Sequence, residues 1–342
     1  FIIALSIRTG IGIMSALIDI DNLSVSYQIG SSLFGARQKI EVLSDISLQI
    51  KKGQFFGLVG ESGSGKSTLG KALLQAAPIS GGRITSHITD TPLEVASLKG
   101  QALKDYRKSA QMIFQDPYSS LNPRMTIRDI IAEPLEVMGL AQSREETDQK
   151  VREIARQCRL NLEHLRRFPH AFSGGQRQRI AIARALVSEP ELIIADESVA
   201  ALDVSTQADI LNLLKSIQSS KGLTFFFISH DLSVVAHVCD VVAVMYLGQI
   251  VEIAPKKSLF AMPRHPYTKA LLASVPSLDL DQKLEPNLIE GEIPSVAAPP
   301  EGCRIHTRCP HATALCISTP PMMQQDEAGH SVACHHWETL PA

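Results

Sequence analysis

The sequence predicts an α/β fold in which helices cover a mainly parallel sheet and a small antiparallel sheet lies against it. Three observations predict it. Short apolar runs alternate with helically patterned segments from Phe55 to Met245, the order that builds parallel strands joined by helices. The run Phe55-Phe56-Gly57-Leu58-Val59 leads directly into Gly60-Glu61-Ser62-Gly63-Ser64-Gly65-Lys66-Ser67-Thr68, and Leu69, Leu73 and Leu74 follow at helical spacing, giving strand, loop and helix in sequence. Upstream, apolar and polar residues alternate with the period of half-buried strands.

In chain order, Ile18 to Tyr27 (Ile18, Ile20, Leu23, Val25) and Val42 to Ile50 (Leu43, Ile46, Leu48, Ile50) read as antiparallel strands, with Gly30 to Lys39 between them as a hairpin loop or insertion. Phe55 to Val59 is the first buried strand. After its helix come a turn at Gly81-Gly82 and a polar segment to Lys108, then the strand Ala110 to Phe114 ending at Gln115-Asp116-Pro117. From Thr126 to about Arg167 the pattern is helical, with Ile127, Ile130, Ile131, Leu135 and Met138 on one face. Ser173 to Val187 is helical again, and Glu191 to Ala195 is a short strand ending in Asp196-Glu197. The helix Thr206 to Ser219, the strand Thr224 to Ser229, a helix from Leu232 and the strand Val241 to Met245 complete the alternation. Past Pro255 the composition shifts to Pro, Cys and His.

The 342 residues suffice for two domains, or for one large domain with an appendage, and the 44% hydrophobic content suffices for a packed core. A net charge of −2 carries no basic excess that points to nucleic acid; local basic patches aside, no nucleic-acid partner is expected. Apolar runs such as Phe225 to Ile228 and Asp240 to Leu247 fall far short of the roughly 20 residues a spanning helix needs. The apolar stretch Phe1 to Ile13 carries only Arg8 and lacks a charged n-region and a small-residue cleavage site, so against a signal peptide it reads as an upstream translated or non-native segment with Met14 as the start. The expected division is therefore 1–13 as that upstream piece, 14–255 as the principal unit with a helical part at about 120–172, and 256–342 as an extension.

The loop Gly60 to Thr68 fits a phosphate-binding role. Its glycines let the backbone turn successive N–H groups toward one anion, Lys66 adds a point charge for the β and γ phosphates, and the Ser67 hydroxyl can ligate Mg²⁺. Asp196 at a strand end can hold that Mg²⁺ through water, and Glu197 can orient or deprotonate an attacking water. Between them Ser173-Gly174-Gly175-Gln176 opens a helix, a second place with free N–H groups for an anion. One nucleotide rarely needs two phosphate sites, so the second is expected to serve a nucleotide held by another subunit.

Gly60 to Thr68, Gln115, Ser173 to Gln176, Asp196-Glu197, Ala201-Leu202-Asp203 and His230 stand in the order seen in the ATP-binding cassettes of ABC transporters, and from about Leu17 to Pro255 the chain resembles that family. The resemblance implies a P-loop NTPase cassette with a RecA-like core, an antiparallel β subdomain and a helical subdomain. It implies ATP stacked on Tyr27, Gln115 touching Mg²⁺ and the attacking water, Glu197 as general base, Asp203 as a contact across a dimer, and His230 as the sensor of the γ-phosphate. Alone, Tyr27 would read as a strand aromatic and His230 as a polar cap. Two departures from the family stand out: Ser198-Val199-Ala200 where Pro-Thr-Ser is usual, and Phe172 where Leu usually opens the signature.

His265-Pro266-Tyr267-Thr268-Lys269-Ala270-Leu271-Leu272, together with Gln111 to Pro117 and Ser120 to Pro123, resembles the cassettes of oligopeptide and dipeptide importers. That implies an ATPase powering a bacterial importer from the cytoplasmic face of the cell membrane, with a second and different cassette, two transmembrane permeases and an external solute-binding protein as partners. Nickel or another small solute as cargo, and a weakly hydrolytic regulatory cassette, remain alternatives here. Cys303, Cys309, Cys316 and Cys334 crowd the tail, whereas Cys158 and Cys239 read as core residues. The resemblance implies that the four tail thiols hold a [4Fe–4S] cluster; zinc, with His306, His311, His335 or His336 as substitute ligands, and unligated thiols are the other options.

Overall fold

The computed structural model describes residues 15–29, 38–274 and 289–340. The proposed upstream stretch 1–13 and most of the expected loop at 30–39 lie outside those residues.

The alternating segments at the start form β1 (Ala16–Ile29) and β2 (Gln38–Lys51), which pair antiparallel with Tyr27 opposite Ile40 and Ile20 opposite Leu48. The buried apolar run becomes β3 (Phe55–Val59), and the phosphate-type loop opens α1 (Lys66–Leu73). The segment expected as a turn and polar stretch is more ordered than its composition suggests. It holds β4 (Ile79–Ser86), the two-residue β5 (Leu93–Glu94) and α2 (Gly100–Ser109). Gly81 lies within β4 opposite Ser24, beside a register shift in the pairing with β1, so the glycine pair marks an irregular strand and not a chain reversal. This first sheet runs in the order β2-β1-β4-β5.

Next come β6 (Ala110–Ile113), the short α3 (Pro117–Ser120), α4 (Ile127–Val137) and α5 (Arg144–Gln157). The single helical pattern expected to Arg167 is broken at Gly139, whose φ is +65°, and Ser143 caps α5 by accepting from Glu146 N–H. α6 (Gly174–Leu186), β7 (Leu192–Asp196), α7 (Val204–Lys221), β8 (Thr224–Ser229), α8 (Leu232–Val238) and β9 (Val241–Tyr246) follow. Then β10 (Gln249–Pro255), α9 (Lys256–Ala261), α10 (Pro266–Ala273), α11 (Ala314–Ser318), β11 (Gln324–Gln325) and β12 (Ser331–Val332) end the chain.

The large sheet runs β11-β12-β10-β9-β3-β8-β7-β6. Its strands from β9 to β6 are parallel, whereas β10, β12 and β11 add an antiparallel edge. The tail thus extends the same sheet that carries the phosphate-type loop. Strand alternation splits the core between its two faces: Phe55, Ile193, Phe225 and Phe227 pack with the helices α4 to α8, and Phe56, Ile194, Phe226 and Ile228 pack with α1 and the small sheet. Phe55 stacks on Phe225 at 4.7 Å between ring centroids, locking β3 beside β8 where the site is built. No helix among the described residues is long and apolar enough to cross a membrane.

Candidate functional site

The C-terminal ends of β3, β7 and β8 meet at one place, and the loops leaving them supply the polar groups. At the end of β3, Gly60 has φ +154°, and a Cβ there would fall 2.1 Å from the Met245 carbonyl oxygen, so only glycine lets the loop pass under β9. Lys66 is buried and donates to the carbonyls of Gly60 at 2.7 Å and Glu61 at 2.8 Å. Burial lowers its pKa, opposed by Glu197, Asp196 and Glu61. Its ammonium is a positive charge held on neutral carbonyls, which a phosphate would outbid.

Ser67 donates to Asp196 Oδ1 at 2.9 Å. Burial raises the Asp196 pKa, Glu197 adds to the rise, and the Ser67 hydrogen bond opposes it. Hydroxyl, carboxylate and the nearby Gln115 amide are hard oxygen donors of the kind Mg²⁺ takes, so these residues fit the ion. Glu197 follows with φ +44°, an unusual conformation for a side-chain-bearing residue that re-aims its carboxylate as β7 ends, while its N–H donates to Ile228 O at 3.0 Å. Gln115 Nε2 donates to Glu197 Oε2 at 2.8 Å, and His230 Nδ1 lies 3.4 Å from Oε1. The carboxylate is bracketed at both oxygens.

The second expected anion site lies apart. Ser173 and Gln176 close a capping box at the start of α6, the Ser hydroxyl accepting from Gln176 N–H at 3.4 Å and the Gln carboxamide oxygen from Ser173 N–H at 3.0 Å. A Cβ on Gly175 would meet Thr206 Cγ2 at 2.3 Å, so glycine is needed there for α6 to approach α7. Among the described residues, Ser173 to Gln176 makes no hydrogen bond to Gly60 to Thr68. Asp203 caps α7 by accepting from Thr206 N–H at 3.0 Å and Ser205 Oγ at 2.6 Å, and these donors bring its pKa down to about 2. Tyr27 is half-buried in β1, packed against the core of the small sheet.

At the departures from the usual pattern, Val199 is buried and the Ser198 hydroxyl is buried with no hydrogen-bond partner among the described residues. Phe172 is buried, edge-on to His164 at 6.1 Å. The turn after Glu197 still closes, Ala200 N–H donating to Glu197 O at 3.1 Å.

Comparison with known proteins matches residues 43–200 to the ABC transporter family and residues 251–316 to the C-terminal region of oligopeptide/dipeptide transporters. The chain is 43% identical over 326 residues to the di/tripeptide transport ATP-binding protein DppF of Pseudomonas aeruginosa, covering 95% of this chain and 99% of that protein. It is 44% identical over 323 residues to the oligopeptide transport ATP-binding protein AppF of Bacillus subtilis, covering 93% and 97%. The chain belongs to the oligopeptide/dipeptide ABC transporter family, as an ATP-binding subunit. The fold agrees: the dimeric cassette MJ0796 in a post-hydrolysis state with ADP and Pi aligns with a TM-score of 0.61 at 27% identity, over 70% of this chain and 98% of that one. This ABC subunit is thus an ATPase coupled to transport, working on ATP with Mg²⁺.

The expected iron–sulfur cluster is overturned. The four tail cysteines do border one cavity with His265, His306 and His311, but its volume is only ≈ 10 Å³, room for about one water and not for four irons. Burial pushes the Cys303 thiol up to about 11 and raises Cys309 and Cys334 as well. Cys316 Sγ and His336 Nε2 are in contact at 3.5 Å. Among the described residues no group of three or more His, Cys, Asp or Glu is placed to hold a metal ion, which removes the zinc option too, and the relatives compared are named as ATP-binding proteins.

Sequence reasoning missed the contacts that join the tail to the nucleotide loop. Tyr267 of α10 and Arg308 both reach Glu61. Only the His-Pro-Tyr motif hinted at it, and nothing in that motif names a partner more than two hundred residues away.

Proposed function

We propose that this ABC subunit hydrolyses ATP to drive import of di- or oligopeptides, seated peripherally on the cytoplasmic face of a bacterial cell membrane. It would work with a second, different cassette, two transmembrane permeases and an external solute-binding protein. The observation that carries the reading is the split between a complete loop cluster around Lys66, Asp196 and Glu197 and a separately capped Ser173 to Gln176 helix start. Two such chains facing head to tail would each complete the other's site.

In that arrangement the backbone of Gly60 to Thr68 and the Lys66 ammonium hold the phosphates, and Tyr27 stacks on the base, a contact worth about 1–3 kcal/mol. Ser67, Asp196 and Gln115 would hold Mg²⁺, which when bound offsets phosphate charge. Glu197 takes a proton from the attacking water, His230 senses the γ-phosphate, and Asp203 meets the partner cassette. The Gln115–Glu197 contact supports this, because the amide that fixes the base leaves β6 beside a half-open groove of ≈ 410 Å³ lined by Phe114, Met112, Val137 and Met138, a surface suited to a permease segment.

The test is Glu197→Gln in the assembled complex. The carboxamide keeps the shape but accepts no proton, so turnover should fall by about 10²–10⁴-fold while ATP binding persists. Unchanged turnover would remove Glu197 from the role of base.

A further inference from the structure

Glu61 lies inside the phosphate-type loop, and each of its polar groups is taken. Its N–H donates to the Tyr267 hydroxyl at 2.9 Å. Its carboxylate is gripped by the Arg308 guanidinium, Nη1 to Oε2 at 3.0 Å and Nη2 to Oε1 at 3.4 Å. Its carbonyl accepts from Lys66 Nζ at 2.8 Å and from Ser64 N–H at 3.2 Å.

The two tail residues are themselves held from one side. Tyr267 is 1% exposed, and its ring meets Tyr246 edge to face at 4.8 Å. Arg308 Nη1 donates to the Tyr246 hydroxyl at 3.4 Å, and its guanidinium carbon is 5.8 Å from the centre of that ring. Tyr246 ends β9, the neighbour of β3, so the clamp is anchored on the same sheet that launches the loop.

We infer that Tyr267 and Arg308 are positioning residues for ATP: they fix the Gly60–Glu61 peptide and neutralise the Glu61 carboxylate, so that Lys66 is presented to phosphate and not drawn to that carboxylate. The chemistry is direct. An unpaired carboxylate beside the Lys66 ammonium would compete with the nucleotide for the same charge, whereas a bidentate guanidinium cancels it at fixed geometry. The Tyr267 hydroxyl accepts from Glu61 N–H and so fixes the Gly60–Glu61 peptide plane, whose Gly60 carbonyl holds Lys66 Nζ at 2.7 Å and cannot rotate away. The tail therefore tunes nucleotide affinity without touching nucleotide. This deepens the ATPase reading and rests on it.

The test uses the full chain and the assembled complex with Tyr267→Phe, Arg308→Met and the double variant Glu61→Gln/Arg308→Met. Mg-ATP affinity is titrated on the chain, KM and kcat are measured on the complex, and the thermal midpoint is recorded without nucleotide. Tyr267→Phe keeps the ring on Tyr246 and should raise Kd and KM about fivefold, the worth of one hydrogen bond. Arg308→Met should raise them about tenfold, as expected for a charge-assisted pair, with kcat within about twofold of the parent. Adding Glu61→Gln should return the affinity to within about twofold, a rescue that a merely structural role for Arg308 would not give. Kd and KM unchanged in both single variants, or an Arg308→Met defect that Glu61→Gln fails to relieve, overturns the inference. A parent chain that binds no Mg-ATP would instead fail the functional reading itself, and the inference with it.

Discussion

The nucleotide loop and the cysteine-bearing tail each gather several chemically able side chains in a small volume, yet they differ in how those groups are paired. Around Lys66 the pairings join unlike partners: ammonium with carbonyl, hydroxyl with carboxylate, amide with carboxylate. Each can be exchanged for a phosphate, a metal or a water without leaving a buried orphan. Around Cys303 like sits beside like, thiols against thiols and imidazoles, and burial raises the pKa of the Cys303, Cys309 and Cys334 thiols. Proximity of ligand-type residues makes a site only when their protonation and the space between them suit the guest.

The most damaging way to break the first region is to remove its charge. Lys66→Ala leaves the carbonyls of Gly60 and Glu61 facing a gap and takes the Lys66 charge from the phosphates. ATP turnover by the assembled complex should fall at least about 100-fold, with nucleotide affinity falling too. Retention of turnover within about tenfold would mean that backbone N–H groups alone bind the phosphates.

A second prediction sharpens the contrast by acid titration of the tail. His265 is fully buried, accepts from Tyr267 N–H at Nδ1 over 3.1 Å and so caps α10 as a neutral ring. Burial lowers its pKa to about 4, opposed by the Glu252 carboxylate, which itself accepts from His330 Nε2 at 2.6 Å and from the N–H groups of Arg264 and His265. Between pH about 6.5 and about 4 the unfolded chain takes up a proton that the folded chain refuses, so this group's contribution to stability falls as pH falls through that window. The whole step is about 3 kcal/mol. Urea unfolding across that range should show the slope, and His265→Asn, which can still accept at the cap, should flatten it; an equal slope in the variant would assign the effect elsewhere.

Legibility in the sequence divides along the same line. β3, the loop and α1 are consecutive, so Phe55 to Leu74 carries their whole pattern, whereas Phe225 to Ile228 reads only as a strand, and the structure shows Phe225 and Phe227 on one face and Phe226 on the other. α2 escaped notice because it buries only Tyr106, leaving no apolar stripe to read. β11 and β12 are two residues long, below any period, and exist because β10 offers them an edge. The clamp on Glu61 was invisible for a stronger reason: Tyr267 and Arg308 are brought to it by the sheet, and no local spacing encodes that meeting. The four cysteines misled because counting ligands says nothing of the cavity they close.

The mildest prediction bears on that cavity and leaves catalysis alone. A thiol reacts with iodoacetamide through its thiolate, and Cys303, raised from 9.0 to about 11 by burial with Cys316, Cys334 and Cys309 opposing its ionisation, carries roughly one hundredth of the thiolate that an ordinary cysteine would at pH 8. Its alkylation in the folded chain, followed by peptide mass, should be about 100-fold slower than in the urea-unfolded chain and should climb about tenfold per pH unit from pH 8 toward 10. The Glu61 clamp uses no thiol, so partial alkylation at this position should leave Mg-ATP affinity within about twofold. Reaction at the unfolded rate would show a thiolate where the packing puts a thiol, and the tail would then share the exchangeable character of the nucleotide loop.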